Sequence, residues 1–505
     1  MRFDRRTCSR ARLTRDARFD GRFFIGVRST HIYCRSICPV RAAKEENITY
    51  FPSAAAAAEA GYRPCLRCRP ESSPGTPAWS GTSATVARAL RLISAGDVCD
   101  EGLEALAARL GIGSRQMRRL FVQHLGATPS AVIKTRRLHF AKKLIDETKL
   151  TFGEIALASG FGSVRRFNSA FKKTYKRTPS QLRKLAPTLS SAQIESLRST
   201  GEYEFRLSFR PPFNWPALVG FLAKRAIPGV EAVESTSYLR TIALNGCAGK
   251  LCVTPDESGT ALRLQISFPE ARWLFQIIER VRRMFDLTAD PREIAANLSR
   301  DVLLSERVRI APGLRVPGCW DGFELALRAI LGQQISVAGA TTLAGRLVQA
   351  FGERINGASG LTHLFPQPER LAQADVARIG LPSARAETIR TLARHVTERR
   401  ITFDALQDSH DFRSRLLEIP GIGDWTVQYI AMRALGDPDA FPASDLGLMR
   451  ATSLKSAREI TRRAEMWRPW RAYAAMYLWQ AHGEKEEKRI SALANLKVQA
   501  AMLTG

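Results

Sequence analysis

The sequence contains no run of about 18 apolar residues, the length that a transmembrane helix needs. Its basic N-terminus, MRFDRRTCSRARLTRDARFD, lacks the apolar stretch of a secretory signal. Acidic residues are scarce, because 48 Asp and Glu face 76 Lys and Arg, for a formal net charge of +28. We therefore expect a cytoplasmic protein without a membrane contact and with a polyanionic partner, most commonly nucleic acid. A ribosome-associated protein or a generally basic proteome would share this charge.

A disulfide framework is also missing, since the cysteines are odd in number and unevenly placed. Four of the nine form one tight pattern, Cys34, Cys38, Cys65 and Cys68. The other five are scattered: Cys8, Cys99, Cys247, Cys252 and Cys319. This distribution predicts a reducing compartment and one metal site.

The chain of 505 residues is too long for one compact core. A stretch rich in Pro, Ser and Gly over 70–83 is typical of a linker, and helical patterning gives way to alternation near 186–201. We therefore predict domains at 1–72, 84–186, 200–310 and 311–482, followed by a charged tail.

The cysteine pattern is suited to a metal ion. Cys34 and Cys38 are followed by the closely spaced pair Cys65 and Cys68, and two such pairs can form a tetrahedron of thiolates around Zn²⁺. So small a domain has little core, and the metal would contribute to its folding. The spacing alone favours a purely structural zinc site.

The residues around these cysteines change that view. The segment DGRFFIGVRSTHIYCRSICPVR and the later YRPCLRCRP resemble the N-terminal domain of the Ada methylphosphotriester repair proteins, including the C-x₃-C-x₂₆-C-x₂-C spacing. The resemblance implies that Cys34 accepts a methyl group from a DNA phosphotriester, once per molecule, while the other three cysteines complete the zinc site. Because methylation removes negative charge from the cluster, DNA affinity should rise after repair. Candidate phosphate contacts are Arg28, Arg35, Arg41 and Arg63.

Two similar segments, Leu103–Ser130 and Thr151–Ser180, each combine an apolar helix, a turn with glycine and a basic second helix. This is the pattern of a duplicated helix-turn-helix, and it resembles the AraC-type DNA-binding domain that follows the zinc domain in Ada proteins. The resemblance implies promoter DNA as a partner and RNA polymerase as a further candidate. Side chains placed to read bases are Arg115, Arg118, Arg165, Arg166 and Asn168.

The third Ada module, an alkylguanine methyltransferase, is missing, since no Cys-His dipeptide occurs. Residues 203–209 and 262–268 instead alternate like half-buried strands. The segment LSFRPPFNWPALVGFLAKRAIPGVEAV resembles the N-terminal domain of the AlkA-type 3-methyladenine DNA glycosylases. This predicts an antiparallel α/β domain without catalytic residues.

Pro-Gly-Ile-Gly stands between two apolar helical stretches in LLEIPGIGDWTVQYIAMRALG, the pattern of a helix-hairpin-helix. Gly421 and Gly423 would permit a tight turn whose N–H groups hold a DNA phosphate at a helix N-terminus. The hairpin indicates DNA binding but not catalysis, since many such proteins are not enzymes.

Asp445 lies 20 residues after Trp425, in FPASDLGLMRA. The AlkA-type resemblance implies that it is the catalytic carboxylate, which stabilises a cationic sugar and orients water. The structural alternative is an N-cap of the helix that begins LGLMR. Asp437 and Asp439 are out of register and lie in a turn.

Trp425 stands where related glycosylase-lyases have a lysine, which predicts a monofunctional enzyme. Trp425, Tyr429 and Trp479 match the base pocket of the AlkA type, where electron-rich rings stack on a cationic base. The alternative is that they are core residues. In the segment that inserts into DNA, Gln334 replaces a leucine, and a glutamine wedges less well.

Together these patterns predict a multidomain α+β protein. It would comprise a small zinc-bound α/β domain, an all-α double helix-turn-helix, an antiparallel α/β domain and an all-α helix-hairpin-helix glycosylase domain. The predicted function is DNA alkylation repair, by base excision and by methyl transfer to Cys34, with regulation of transcription. The alternative is a regulator whose glycosylase half is inactive and only binds DNA.

Overall fold

A computed structural model of the chain describes residues 4–74, 84–95, 102–148, 150–184, 201–355, 360–403, 409–481 and 483. Over these residues the fold is the predicted multidomain α+β arrangement. No helix within these ranges combines the length and the apolar character required to cross a membrane. The predicted C-terminal tail after residue 483 and the second predicted break at 186–200 lie outside the described residues.

The first domain is built on a four-stranded sheet in the order β3–β1–β2–β4. Its elements are α1 (Arg5–Leu13), β1 (Phe24–Val27), β2 (Ile32–Cys34), β3 (Ile48–Phe51), α2 (Ala54–Glu59) and β4 (Arg63–Pro64). Strand β1 pairs antiparallel with β2 and β3, whereas β2 and β4 are parallel, with Tyr33 opposite Pro64. The residues that follow this pair in the two strands are Cys34 and Cys65, so the sheet itself brings the two halves of the cysteine pattern together.

The segment after β4 does not begin a linker where its composition predicted one. Pro70–Ser72 forms a 3₁₀ helix, and the Glu71 side chain is only 1% exposed. Lys142 lies 3.5 Å from the Glu71 carboxylate. Composition gave no indication of this contact, because a glutamate beside Pro and Ser is usually solvated. Residues 75–83, the rest of the predicted linker, lie outside the described residues.

The second domain is all helical, with α3 (Ala84–Ala95), α4 (Gly102–Arg109), α5 (Ser114–Leu125), α6 (Pro129–Glu147), α7 (Phe152–Ala158), α8 (Val164–Tyr175) and α9 (Pro179–Arg183). The duplicated helix-turn-helix is confirmed as the pairs α4–α5 and α7–α8. Each inner turn has a glycine with positive φ, Gly111 at +69° and Gly160 at +75°. The two Thr-Pro-Ser triplets start helices, since Thr128 and Thr178 are N-caps.

Helix α6 joins the two helix-turn-helix units and also contacts the zinc domain. The Tyr33 hydroxyl lies 2.8 Å from His139 Nε2, and both groups are removed from solvent. Burial lowers the pKa of His139 to about 4, so the ring is neutral at physiological pH. Together with the Glu71–Lys142 contact, this fixes the zinc domain against the helix between the two DNA-reading units.

The third domain has a five-stranded antiparallel sheet in the order β5–β9–β8–β7–β6. Its strands are β5 (Glu202–Ser208), β6 (Glu231–Glu234), β7 (Ser237–Leu244), β8 (Cys247–Pro255) and β9 (Ala261–Ser267), with α10 (Trp215–Ala223), α11 (Leu274–Met284), α12 (Pro291–Leu298) and α13 (Val302–Ile310). The two strands predicted at 203–209 and 262–268 are confirmed one residue earlier. Alternation reveals them because one face of each, as with Phe205 and Leu207, is buried.

The last domain contains α14 (Gly322–Leu331), α15 (Val337–Phe351), α16 (Pro368–Ala372), α17 (Ser383–Thr397), α18 (Ser409–Leu417), α19 (Asp424–Arg433), α20 (Leu446–Thr452) and α21 (Ala457–Ala464). A further helix covers 471–481. One core forms around α14, α17 and α19, and a second holds Met432, Leu448 and Leu478 from three different helices. The hairpin between α18 and α19 is thus backed by two hydrophobic clusters.

The two halves of the chain contact each other through buried groups. Arg22 of the zinc domain lies 2.9 Å from the fully buried Asp290 of the α/β domain. Phe140 of α6 packs edge-on against Phe275 of α11, with ring centroids 4.9 Å apart. The regulatory half is therefore packed on the sheet domain of the other half.

Four buried charges join the sheet domain to the hairpin domain. Arg240 donates to Glu324 at 2.7 Å, and Arg328 lies 2.7 Å from Glu231 and 3.0 Å from Glu324. Burial raises the pKa of Glu231, but Arg328 and Arg240 outweigh it and bring that pKa to about 2. Each charge is held in the interior by its opposite charges, so removing one leaves the others poorly compensated.

Replacing Arg240 by leucine should destabilise the protein by about 3–5 kcal/mol, because Glu324 loses its closest cation inside the protein. Urea denaturation followed by tryptophan fluorescence measures the change. The matched control is Arg263→Leu on β9, since Arg263 is 45% exposed beside Glu204 and its loss should cost about 0–1 kcal/mol. Equal unfolding midpoints for the two variants would contradict this account.

Candidate active site and metal centre

The hairpin between α18 and α19 depends on one glycine. Gly421 has φ +90°, and a Cβ built there would lie 2.4 Å from Thr388 Oγ1. Thr388 cannot give way easily, since its hydroxyl donates to the Pro420 carbonyl at 2.8 Å. Gly421 is therefore required by the turn, as predicted.

Gly423 has a different role from the one predicted. Its φ is −99°, and a Cβ there would meet nothing within 4 Å, so the turn itself does not require glycine. Gly423 is the N-cap of α19 and supplies no side-chain cap to the first helical turn. Its bare Cα keeps an exposed helix N-terminus open to an approaching phosphate.

Asp445 is both the N-cap of α20 and the centre of a hydrogen-bond cluster. Its Oδ1 accepts from the Leu448 backbone N–H at 3.0 Å, which is the predicted structural alternative. The carboxylate also accepts two indole N–H groups, Trp425 Nε1 at 2.9 Å and Trp479 Nε1 at 2.8 Å. The cap and the proposed catalytic role are therefore compatible, because the cap bond uses only one of the available lone pairs.

The three aromatic residues predicted for the base pocket lie together beside Asp445. Trp425 and Tyr429 stack with centroids 5.3 Å apart and an interplanar angle of 11°. Trp479 stands at 58° to Tyr429 at 6.3 Å. All three side chains are partly exposed, unlike core residues such as Trp467. The rings therefore form an accessible aromatic wall next to a carboxylate.

Tyr429 is held from behind by cations. Arg433 Nη1 donates to the Tyr429 hydroxyl at 2.7 Å, and Arg433 Nε donates to the Pro317 carbonyl at 2.7 Å. Burial raises the pKa of Tyr429, but the nearby Arg433 and Arg225 guanidinium groups lower it more. The phenol is thus fixed as a hydrogen-bond acceptor, and its ring is held parallel to Trp425.

The segment predicted to insert into DNA lies against the hairpin. Gln333 Nε2 donates to the Gly421 carbonyl and to Thr426 Oγ1, both at 2.9 Å. Gln334 is exposed with φ +60°, and the exposed side chain of Ile335 follows it. Gln333 therefore fastens the segment to the hairpin and leaves Gln334 at its tip.

The four cysteines of the sequence pattern converge. The Sγ atoms of Cys34, Cys38, Cys65 and Cys68 all lie within 4.8 Å of one another. Tetrahedral Zn²⁺ with Zn–S bonds of about 2.3 Å would place sulfurs about 3.8 Å apart, so a thiolate set of this size fits the ion. Cys34 and Cys38 are partly exposed, whereas Cys65 and Cys68 are buried.

One predicted phosphate contact is wrong. Arg35 is only 7% exposed, and its guanidinium pairs with Asp20 and donates to the Cys68 carbonyl at 3.0 Å. Its backbone N–H also donates to Cys68 Sγ at 3.4 Å. Arg35 therefore supports the cysteine cluster rather than DNA. Arg28 and Arg41 are exposed, and Arg63 is partly exposed.

The predicted base-reading residues lie on the outer faces of two helices. Buried Met117, Phe121 and Leu125 fix α5, and Phe167 and Phe171 fix α8. The opposite faces expose Arg115, Arg118, Arg165, Arg166 and Asn168. Helix α8 begins at Val164, with Ser163 as its N-cap. Both helices therefore present polar side chains on surfaces that their own cores leave free.

Sequence reasoning missed several residues of these sites. Gly447 lies next to Asp445 and Trp479, and nothing in its surrounding sequence distinguishes it. The indole N–H bonds to Asp445 join residues 20 and 34 positions apart, a relation that no local pattern reveals. The polar pair Gln333–Gln334 was the only local signal for the tether to the hairpin.

Four family models match the chain in order. They are described as the metal binding domain of Ada at residues 7–71, a helix-turn-helix domain at 106–185, the AlkA N-terminal domain at 204–321 and the HhH-GPD superfamily base excision DNA repair protein at 327–471.

Curated relatives match either the whole chain or its C-terminal half. A Mycobacterium tuberculosis protein described as "Probable bifunctional transcriptional activator/DNA repair enzyme AlkA" is 42% identical over 485 residues, 95% of this chain and 97% of the relative. The DNA-3-methyladenine glycosylase 2 of Escherichia coli is 35% identical and covers 55% of this chain and 98% of the relative. A solved 3-methyladenine DNA glycosylase from Archaeoglobus fulgidus has 26% identity and a TM-score of 0.48, over 55% of this chain and 98% of that one.

These domains and sites define a DNA alkylation repair protein in which a zinc-binding regulatory half is fused to a base-excision glycosylase half. The chain belongs to the family of AlkA-type bifunctional transcriptional activators and DNA repair enzymes.

Exchanging the hairpin glycines should separate folding from DNA contact. Gly421→Ala should destabilise the protein by about 1–3 kcal/mol, because φ is positive and the methyl group meets Thr388. Gly423→Ala should change stability by no more than about 0.5 kcal/mol but weaken binding to duplex DNA. Thermal melting and fluorescence anisotropy measure the two effects, and a loss of stability in the Gly423 variant would refute the assignment.

Proposed function

We propose that the protein hydrolyses the N-glycosidic bond of alkylated bases of the 3-methyladenine class, with Asp445 as the catalytic carboxylate. The observation that carries this is the position of Asp445, held by three N–H donors beside the aromatic wall of Trp425, Tyr429 and Trp479. The relative named DNA-3-methyladenine glycosylase 2 supports the substrate class.

In the proposed reaction the bond between C1′ and the base nitrogen breaks, and the bonding electrons leave with the base. A base methylated at N3 or N7 is already cationic and departs neutral, so no strong general acid is required. The sugar develops positive charge, which the Asp445 carboxylate stabilises, and water then attacks C1′ and loses its proton. Tryptophan rings stack on the cationic base before it leaves.

The enzyme is proposed to be monofunctional. The position where lyases of this superfamily carry a Schiff-base lysine holds Trp425, whose indole has no nucleophilic amine. The product is then an abasic site with an intact backbone.

Contacts to damaged DNA are proposed for Gly421, Gly423 and Gln334. The first two frame the exposed N-terminus of α19, where backbone N–H groups can hold a phosphate. Gln334 lies at the tip of the neighbouring segment and would fill the gap left by the flipped base. Its amide can also hydrogen-bond the opposite base.

Asp445→Asn should abolish or reduce release of 3-methyladenine by at least about 100-fold, because asparagine keeps the cap but has no charge. Release from methylated duplex DNA is followed by chromatography under single-turnover conditions. Asp411→Asn, at an exposed carboxylate of α18, serves as the control and should retain activity. Equal release by wild type and Asp445→Asn would sink the assignment, and no release by either would support the alternative of an inactive glycosylase half.

For the other half we propose stoichiometric methyl transfer from a DNA phosphotriester to Cys34. The sulfur attacks the methyl carbon, the C–O bond breaks, and its electrons remain on the phosphate oxygen. The products are S-methylcysteine and an ordinary phosphodiester. Cys34 is partly exposed at the end of β2, which supports access to the DNA backbone.

Zn²⁺ fits the site formed by Cys34, Cys38, Cys65 and Cys68 and would keep the sulfurs as thiolates at neutral pH. The buried Arg35 orients the site from below, since it bonds both Cys68 and Asp20. Methylation of Cys34 lowers the negative charge of the cluster, and we propose that DNA is then bound more tightly.

Regulation is proposed to act through promoter DNA. Arg115, Arg118, Arg165, Arg166 and Asn168 would read base edges, and RNA polymerase would be the further partner of an activator. The described cysteines are all free thiols, which supports the reducing cytoplasm as the proposed location. The proposed division into domains remains 1–72, 84–186, 200–310 and 311–482.

Cys34→Ala should eliminate the single methyl adduct that wild type acquires from methylated DNA, detected as a 14 Da (about one CH₂) mass increase on the intact chain. Cys247→Ala on β8 is the control and should acquire the adduct normally. Zinc content is measured in both, so that loss of the metal site is distinguished from loss of the acceptor. An adduct that persists in Cys34→Ala would rule out the acceptor.

A further inference from the structure

Two tryptophans from different helices converge on one carboxylate. Trp425 lies in the first turn of α19 and donates to Asp445 Oδ2, and Trp479 lies on the 471–481 helix and donates to Oδ1. With the Leu448 N–H on Oδ1, donors approach from three directions. A carboxylate offers about four acceptor positions, so its orientation is set and about one position stays open for substrate or water.

Gly447 makes this convergence possible. A Cβ built on Gly447 would lie 2.9 Å from Asp445 Oδ1 and 3.2 Å from Trp479 Cδ1. The first distance is shorter than an ordinary contact, and neither the carboxylate nor the ring can withdraw without lengthening the Trp479 bond. Only a bare Cα at this position allows Trp479 to reach Asp445.

The donors at Asp445 are neutral, and this distinguishes it from a structural carboxylate in the same domain. Asp301 also accepts an indole N–H, from Trp467 at 2.6 Å, but Arg463 pairs with it as well. Within the described parts of the chain, no Lys, Arg or His nitrogen lies within 4.0 Å of the Asp445 carboxylate oxygens. Indole N–H groups fix Asp445 without neutralising it.

We propose that Trp425 and Trp479 are positioning residues that aim the Asp445 carboxylate at the sugar cation through their N–H groups, and that Gly447 is required for this arrangement. The inference rests on the catalytic role proposed for Asp445. It gives the two indoles a task separate from stacking on the base. A carboxylate held in advance needs no reorganisation when charge develops at C1′, and it keeps its full charge for that step.

The test replaces each tryptophan by its isostere in which sulfur takes the place of the indole N–H, introduced at a single codon. The isostere keeps the fused ring and its stacking but cannot donate to Asp445. We expect a single-turnover excision rate about tenfold lower for each substitution, with substrate affinity unchanged. Gly447→Ala should lower the rate by a similar factor.

A binding ratio separates positioning from stacking. Duplexes carry either a pyrrolidine, whose ring nitrogen is cationic, or the neutral tetrahydrofuran in place of the damaged nucleotide. The isosteres should weaken binding of the pyrrolidine duplex about tenfold and leave the tetrahydrofuran duplex unaffected. Equal loss for both duplexes, or no change for either, overturns the proposal.

Two controls complete the design. The same isostere at Trp467 breaks the indole bond to Asp301 and should lower the melting temperature without changing the binding ratio. In an Asp445→Asn background the isosteres at 425 and 479 should cause no further change in the ratio, and an undiminished change there would overturn the proposal. If wild type excises no base, the proposed function fails, while the ratio still reports on the carboxylate.

Discussion

The Asp445 carboxylate is held where three helices meet, and the glycosylase half depends on that convergence. Its donors come from α20, from α19 and from the 471–481 helix. None of these helices places its donor alone. They share one hydrophobic core, in which Met432, Leu448 and Leu478 represent the three helices. Packing in this core therefore determines whether the carboxylate points at the sugar.

The two reactive centres handle buried charge in opposite ways. The cysteine cluster has an arginine beneath it, but Arg35 is itself paired with Asp20, so little of its positive charge reaches the sulfurs uncompensated. Asp445 is surrounded only by neutral donors. The first arrangement suits a cluster whose charge changes on reaction, and the second suits a carboxylate that has to keep its charge through many turnovers.

The residues that sequence reasoning found are those whose role follows from local spacing. The cysteine pairs, the hairpin glycine Gly421 and the strand alternation around Phe205 all belong to this kind. Arg35 was misassigned because its partner Asp20 lies on a separate turn, and a sequence motif does not show which arginine is covered. Gly447 was missed for the same reason, since its need for glycine comes from a tryptophan 32 positions away.

The contact between Tyr33 and His139 has a consequence for the DNA that the regulatory half occupies. It joins the strand that ends at Cys34 to α6, the helix between the two base-reading units. The acceptor sulfur and the recognition helices are thus set at a constant rotational phase around a duplex with about 10 base pairs per turn. A phosphate on the far side of the same operator would face away from the sulfur, however well the bases match.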